Sequence, residues 1–353
     1  MDCFSVDYPT ARERFCRAAK KSACWVSQWS IPGRGSKGES LTVDVAWLGE
    51  RPAKRVLLHT SGLHGVEGFA GSAIQLQLLA EPPELQTGTA LVLLHVLNPY
   101  GMSWLRRTNA ENVDLNRNFV FPGQLRHDTT AAYQSLAPVL NPDYPPRSDL
   151  FYLRALYELL RYGYQPLKAA IACGQYDFPR GLFYGGSALQ PEVLAYHEWL
   201  RQNLLQAERL LVVDVHTGLG KAGQESLFHG LVATPTDDLS RFLALPLLLE
   251  ESQKQVLGYE VFGAHQELYR QLLPSCTCDF LTQEFGTKPV WAVLRALRKE
   301  NQWQHYGSGT LEHPCKRALK AAFFLTSSAW QEQIVEAGVR LVRKGLSFLS
   351  SAE

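Results

Sequence analysis

Apolar residues in this chain form short continuous runs separated by longer stretches of helical periodicity. A run of five to nine apolar residues bounded by turn residues is typical of a strand buried on both faces of a sheet. A run that alternates with polar residues is typical of a half-buried strand. The predicted strands are Leu41–Leu48, Arg55–Thr60, Thr89–Leu97 and Leu210–Val215, with weaker candidates at Leu227–Thr234 and Asp279–Phe285.

Helical periodicity fills much of the remaining chain. The predicted helices are residues 5–25, Glu67–Ala80, Asp149–Gly163 and most of Pro314–Leu349. Alternating strands and helices predict an α/β fold with a mixed, largely parallel twisted sheet and helices on both faces. No internal repeat or flexible linker divides the chain, so we expect one continuous catalytic domain over residues 1–353.

Composition narrows the functional classes. The chain is 46% hydrophobic and 20% charged, which excludes disordered and fibrous proteins. A net charge of +1 gives no broad field for nucleic acid or an anionic membrane. The first residues lack a secretory pattern, no apolar run could span a bilayer, and the seven cysteines are scattered. We therefore expect a cytoplasmic protein without nucleic-acid or membrane partners, and the oligomeric state stays open.

Several well-known motifs are missing or out of place. Gly33–Gly38 spells a dinucleotide-binding fingerprint, but we predict no strand before it, and a strand rather than a helix follows. We therefore expect a simple loop there. The phosphate-binding loop, the nucleophile elbow of serine hydrolases and the H-E-x-x-H zinc helix do not occur. Kinases, NAD enzymes and serine hydrolases are disfavoured.

His64 and Glu67 stand where the strand Arg55–Thr60 gives way to a helix. A spacing of three at a helix start places both side chains on one face, so they can bind one ion. His216 follows the strand Leu210–Val215 and is expected at the same sheet edge. Each histidine alone would more often be an ordinary loop or core residue. Together with Glu67 they predict a catalytic zinc site with an open fourth position.

Two further polar segments follow predicted strands. The segment from Arg106 to Phe119 is rich in Asn and poor in Lys. Arginines there would bind an anionic substrate end and polarise a carbonyl, although a solvated basic loop is the plainer interpretation. Glu284 ends the strand Asp279–Phe285, where an unpaired carboxylate is costly to bury. A general base beside a metal would explain its position.

The ordered segments HGVEG, NPYG, RTN, VDLNRNF, DVHTG and QEFGT resemble those of the zinc carboxypeptidase superfamily. That superfamily includes the aspartoacylase and succinylglutamate desuccinylase amidohydrolases. The resemblance spans Arg55–Thr287 and is closest to a mostly bacterial branch with a domain of unknown function.

The resemblance implies a role for each matching residue and a mixed twisted sheet between helices. His64, Glu67 and His216 would bind Zn²⁺. The other implied roles are oxyanion stabilisation by Arg107 (or by Arg106, if the register slips by one), binding of the substrate carboxylate by Asn116 and Arg117, and proton transfer by Glu284.

The chain also departs from the superfamily pattern. Thr217-Gly218 lacks the aromatic residue that digestive members have after the last histidine. A longer segment before His216 contains the loop Gly174–Gly186, which either lines the site or packs as a surface loop. The mobile tyrosine of the superfamily is not assigned, and Tyr259 and Tyr269 are both possible.

Three functions follow as hypotheses. The first is a zinc carboxypeptidase-like hydrolase that cleaves an amide bond next to a free carboxylate in a small peptide. The second is a deacylase of N-acyl amino acids, which would use the same zinc and arginines. The third is a binding module that kept the fold without activity, and the intact set of His64, Glu67, His216 and Glu284 argues against it.

Overall fold

A single eight-stranded sheet forms the centre of the protein. The computed structural model describes residues 3–121, 129–230, 233–249 and 263–351. The strands are β1 Trp25–Arg34, β2 Ser40–Gly49, β3 Arg55–Ser61, β4 Thr89–His95, β5 Arg209–Thr217, β6 Glu225–His229, β7 Leu247–Leu249 and β8 Thr277–Phe285. Their order across the sheet is β1-β2-β4-β3-β5-β8-β6-β7.

Strands β4, β3, β5 and β8 are parallel neighbours at the centre of the sheet. Antiparallel pairings add β2 and β1 on one side and β6 on the other, where β7 runs parallel to β6. The four central strands are almost entirely buried, which explains their continuous apolar sequences. This mixed, largely parallel sheet confirms the predicted fold class.

Helices cover both faces of the sheet. They are α1 Tyr8–Lys21, α2 Gly68–Ala80, α3 Pro99–Ser103, α4 Ala131–Leu140, α5 Phe151–Tyr162, α6 Tyr164–Cys173, α7 Pro191–Asn203, α8 Thr236–Leu243, α9 Glu267–Leu272, α10 Val290–Tyr306, α11 Pro314–Phe323 and α12 Ser328–Ser351. One apolar core joins the sheet to α1, α2, α8 and α12, and a second joins it to α7 and α9. A third apolar cluster, formed by α4, α6, α10 and α11, includes Val66 and so reaches the turn that holds Glu67.

One expectation needs correction. Strand β1 ends at Arg34, so a strand runs directly into the motif Gly33–Gly38, where we predicted none. The predicted loop is confirmed for residues 35–38, which connect β1 to β2. Helix α5 is confirmed, but its leucines face outward: Leu153 and Leu160 are 63% and 79% exposed, whereas Phe151 and Glu158 are buried. Periodicity shows which residues share a helix face, but neighbouring helices decide which face is covered. No helix in the described part of the chain is long and apolar enough to cross a membrane.

Two fully buried histidines should make stability depend on pH. His59 in β3 contacts Gln75, and His95 at the end of β4 contacts Ser72 and stacks on Phe15. Burial lowers the pKa of each imidazole from 6.5 to about 4. The folded protein therefore holds them neutral while the unfolded chain takes up a proton below pH 6.5, so their stabilisation is full above that pH and falls as pH drops toward 4.

We expect His95→Gln to lose the pH-dependent part of the unfolding free energy that His95 contributes. This part changes by about 1.4 kcal/mol per pH unit within that window. The difference in unfolding free energy between wild type and variant should shrink as pH falls from 7 to 4.5. Urea denaturation at several pH values measures it. A difference that is constant over this range would contradict the assignment of a neutral buried His95.

Candidate metal centre

His64, Glu67 and His216 come together at the carboxyl edge of the central strands. His64 and Glu67 belong to the turn after β3, and His216 is the second-to-last residue of β5. Strands β3 and β5 pair in parallel, so the segments that follow them emerge side by side. A Cβ at Gly65 would lie 2.1 Å from the backbone of Gly101, so only glycine allows this turn to pack so closely.

The possible ligand atoms surround one point. The Nδ1 atoms of His64 and His216 are 3.1 Å apart, and each is 3.0–3.1 Å from a carboxylate oxygen of Glu67. Tetrahedral ligands bound to zinc at about 2.1 Å lie roughly 3.4 Å from one another. One ligand atom from each residue lies within 4.8 Å of the others, and all three side chains are buried. The three residues can therefore hold one metal ion.

Two carboxylates fix the orientation of the imidazole rings. Asp114 lies 3.1 Å from Nε2 of His64, and Asp214 lies 3.0 Å from Nε2 of His216. An ionised carboxylate only accepts hydrogen bonds, so both Nε2 atoms donate. The lone pairs of a neutral ring are then left on Nδ1, the atom that faces Glu67. A histidine that binds a metal ion through one ring nitrogen commonly donates a hydrogen bond from the other to a carboxylate in this way.

The electrostatics of the cluster favour a cation at this point. Burial alone would lower the pKa of His216, but Asp214 and then Glu67 outweigh it and raise the pKa well above its ordinary value. Burial alone would raise the pKa of Glu67, but His64, His216 and Arg107 hold it far below its usual range. Facing Nδ1 atoms so close together repel unless a proton or a metal ion lies between them. The donor set therefore fits a zinc ion.

Glu284 lies beside this cluster on the next strand. In the β5–β8 ladder it is the direct partner of His216, and it is 6% exposed. Its carboxylate accepts a hydrogen bond of 2.8 Å from the backbone N–H of Leu219. Burial, followed by the negative charge of Glu67, raises the pKa of Glu284 to about 8. A carboxyl group whose pKa is near neutrality can both take up and release a proton.

The structure brings Arg107, rather than Arg106, to the site. Nη1 of Arg107 donates to Glu67 and its Nε donates to Asp114, at 3.0 and 3.2 Å. Its guanidinium lies 5.9 Å from the centre of the Phe183 ring. Arg106 points away from this cluster and is buried against Glu300.

Asn116 and Arg117 lie on the turn that follows Asp114. The amide oxygen of Asn116 accepts a hydrogen bond from the backbone N–H of His265, and its amide nitrogen is the atom that can donate to a carboxylate. Arg117 is 8% exposed, and its buried Nε has no hydrogen-bond partner among the described residues. A buried guanidinium N–H without a partner is costly, and an anionic ligand would satisfy it.

The loop Gly174–Gly186 packs against these arginines. Phe183 of this loop faces the guanidinium of Arg107. The hydroxyl of Tyr176, also in this loop, donates to the carbonyl of Arg117. A Cβ at Gly174 would lie 3.2 Å from the side chain of Arg117. Of the two interpretations of this loop, the structure supports the one in which it borders the candidate site.

Neither tyrosine considered from the sequence can be identified as a mobile substrate-binding residue. Tyr259 lies outside the described residues. Tyr269 is fully buried in α9, and its hydroxyl is hydrogen bonded to His265 and Tyr196.

Three residues of the cluster were not predicted as site residues. Asp114 and Asp214 stand inside the segments VDLNRNF and DVHTG, so a signal was present, because each lies two positions before a predicted site residue. His265 contacts Asp214 at 2.9 Å, and nothing in its local sequence indicates this.

Comparison with solved structures supports the fold. Carboxypeptidase A from Helicoverpa armigera matches with a TM-score of 0.51 and 14% identity, covering 98% of this chain and 74% of that chain. Murein-tripeptide amidase MpaA from Escherichia coli O157 matches with a TM-score of 0.41 and 19% identity, covering 78% and 92%. A putative succinylglutamate desuccinylase/aspartoacylase from Shewanella frigidimarina matches with a TM-score of 0.39 and 16% identity, covering 79% and 69%. The likeness to carboxypeptidase A, with a TM-score above 0.5 at 14% identity, shows a shared fold.

Comparison with curated proteins gives no significant match. The profile of one family matches residues 4–337, most of the chain, and its description is "Protein of unknown function (DUF2817)". The resemblance found in the sequence is thereby confirmed: the chain has a zinc carboxypeptidase-like fold and belongs to the DUF2817 family.

Proposed function

We propose that this protein is a zinc-dependent hydrolase that cleaves an amide bond next to a free carboxylate. The observation that supports it most strongly is the convergence of two Nδ1 atoms and a carboxylate on one point, with a second carboxylate, Glu284, on the adjoining strand. His64, Glu67 and His216 would hold the zinc ion.

Zinc bound in such a site supplies Lewis acidity, which makes water a better nucleophile and polarises a carbonyl group. Glu284 would take the proton from the attacking water and return it to the leaving amine nitrogen. Burial and the negative charge of Glu67 raise the pKa of Glu284, which makes its carboxylate a stronger base for the first step. Arg107, fixed by Asp114, would donate to the carbonyl oxygen as it gains negative charge.

Asn116 and Arg117 would bind the free carboxylate of the substrate. The buried Nε of Arg117, for which the described part of the chain offers no acceptor, supports this role, because an anion would complete its hydrogen bonding. Such a contact places the scissile carbonyl in register with Glu284 and Arg107. The substrate would be a small peptide, with an N-acyl amino acid as the alternative, since both present the same carboxylate.

A substrate panel tests the proposed function. The zinc-loaded protein is assayed with dipeptides and tripeptides, with the same peptides amidated at the carboxyl end, and with N-acyl amino acids. We expect turnover that a chelator abolishes and zinc restores, and kcat/KM about 10–100-fold lower for amidated peptides, since a charge-assisted hydrogen bond is lost. Equal cleavage of free and amidated peptides would contradict the carboxylate clamp, that is, the proposed binding of the substrate carboxylate by Asn116 and Arg117. Cleavage of N-acyl amino acids alone would select the deacylase, and zinc binding without any turnover would favour the binding module.

A further inference from the structure

The carboxylate of Asp214 is shared by two imidazole rings. One of its oxygens, Oδ2, lies 3.0 Å from Nε2 of His216 and 2.9 Å from Nδ1 of His265. The other oxygen accepts a hydrogen bond of 2.7 Å from the hydroxyl of Thr60. His265 is 2% exposed and has no part in the mechanism proposed above. A second buried histidine, His265, is therefore hydrogen bonded to Asp214, the carboxylate that orients the candidate metal ligand His216.

The second ring nitrogen of His265 continues the hydrogen bonding. Because Asp214 can only accept, Nδ1 of His265 donates to it. Nε2 of His265 lies 2.9 Å from the hydroxyl of Tyr269, and this hydroxyl lies 2.6 Å from that of Tyr196. A buried chain of hydrogen bonds thus extends from His216 through Asp214 and His265 to two tyrosines. Asp214, His265 and Tyr269 are each hydrogen bonded on both sides, which restricts rotation of the Asp214 carboxylate.

His265 also contacts the turn that carries the proposed carboxylate clamp. Its backbone N–H donates to Asn116, and its ring stacks on Phe119 with centroids 4.7 Å apart and an interplanar angle of 25°. The backbone N–H of Phe119 in turn donates to the carbonyl of Gly263. One residue therefore joins the support of His216 to the segment of Asn116 and Arg117.

We propose that His265 is a positioning residue that sets the orientation of Asp214, and through it that of His216, for metal binding. This inference rests on the proposed function, because it takes His216 to be a zinc ligand. Without the N–H of His265, the bond from Thr60 would hold only the opposite oxygen of Asp214. The carboxylate could then rotate away from His216, and the ring would lose its fixed direction. Loss of such a support weakens metal binding by about 10–100-fold.

Two substitutions of similar size and polarity, His265→Asn and His265→Gln, distinguish the contact with Asp214 from the contact with Tyr269. His265→Asn places an amide N–H near the position of Nδ1, so it keeps the contact with Asp214 and loses the contact with Tyr269. His265→Gln places its amide near the position of Nε2, so it keeps the contact with Tyr269 and loses the contact with Asp214. Zinc dissociation constants are measured by competition with a chromophoric chelator, and melting temperatures are measured without metal.

We expect His265→Gln to weaken zinc binding by about 10–100-fold, and His265→Asn to stay within about threefold of wild type. Equal zinc affinity in His265→Gln and wild type would overturn the inference and leave the proposed function intact. Equal weakening in both variants would also overturn it, since the contact with Asp214 would then not be the relevant one. If wild type itself binds no zinc, the proposed function fails and this inference fails with it. Melting temperatures that fall equally in both variants, with unequal zinc affinities, would support positioning over a general structural role.

Discussion

Replacing Glu284 with Gln is expected to lower kcat by about 10²–10⁴-fold while zinc stays bound. Gln has nearly the same shape and can still accept the hydrogen bond from the N–H of Leu219. It cannot take up a proton from water or return one to the leaving nitrogen. The substitution therefore removes proton transfer and leaves the packing around β8 almost unchanged. Steady-state kinetics and zinc content of the same preparation measure both halves of the expectation.

Glu312→Gln makes the same chemical change at a side chain that is 85% exposed, and kcat should be unaffected. Full activity of Glu284→Gln, with zinc bound, would show that another group transfers the proton. Loss of zinc from Glu284→Gln would show that this carboxylate acts as a ligand rather than as a base.

Replacing His216 with Ala is expected to abolish stoichiometric zinc binding and, with it, turnover. The variant removes one of three ligand atoms that surround the common point. The loss of affinity should exceed the roughly 100-fold that the loss of a supporting hydrogen bond costs. Metal analysis after dialysis against a fixed concentration of free zinc measures the effect.

His229→Ala is the matched control for this variant. His229 is also buried and paired with a carboxylate, that of Asp279 at 3.1 Å, but this pair lies between β6 and β8, and within the described ranges it belongs to no His-Glu-His group that could hold a metal ion. We expect this control to lower stability and keep one zinc per chain. Equal zinc content in His216→Ala and wild type would remove His216 from the site.

The sequence predicted much of the site because its main signals are local. Each ligand candidate lies at the carboxyl end of an apolar strand or in the turn after it, and parallel neighbours bring such positions to one edge. The spacing of His64 and Glu67 in a single turn needs no tertiary information. The same reasoning placed Glu284 beside the metal as a general base, and the ladder between β5 and β8 puts it opposite His216.

The rest depends on packing between distant segments. Arg106 and Arg107 are adjacent in sequence, and the buried pairs of Glu300 with Arg106 and Lys316 decide which of the two faces the site. His265 reaches Asp214 across 51 positions, a pairing that no periodicity encodes. Strand β1 escaped prediction because it lies at the sheet edge, where few side chains are buried and the sequence Pro32-Gly33 interrupts the pattern.

The location of the metal tests the central claim most directly. Crystals of the zinc-loaded protein, measured on both sides of the zinc absorption edge, would show each bound ion as an anomalous difference peak. We predict one strong peak at about 2.0–2.2 Å from Nδ1 of His64, Nδ1 of His216 and a carboxylate oxygen of Glu67. Zinc bound elsewhere, or imidazoles that bind through Nε2 with Asp114 and Asp214 displaced, would contradict the account.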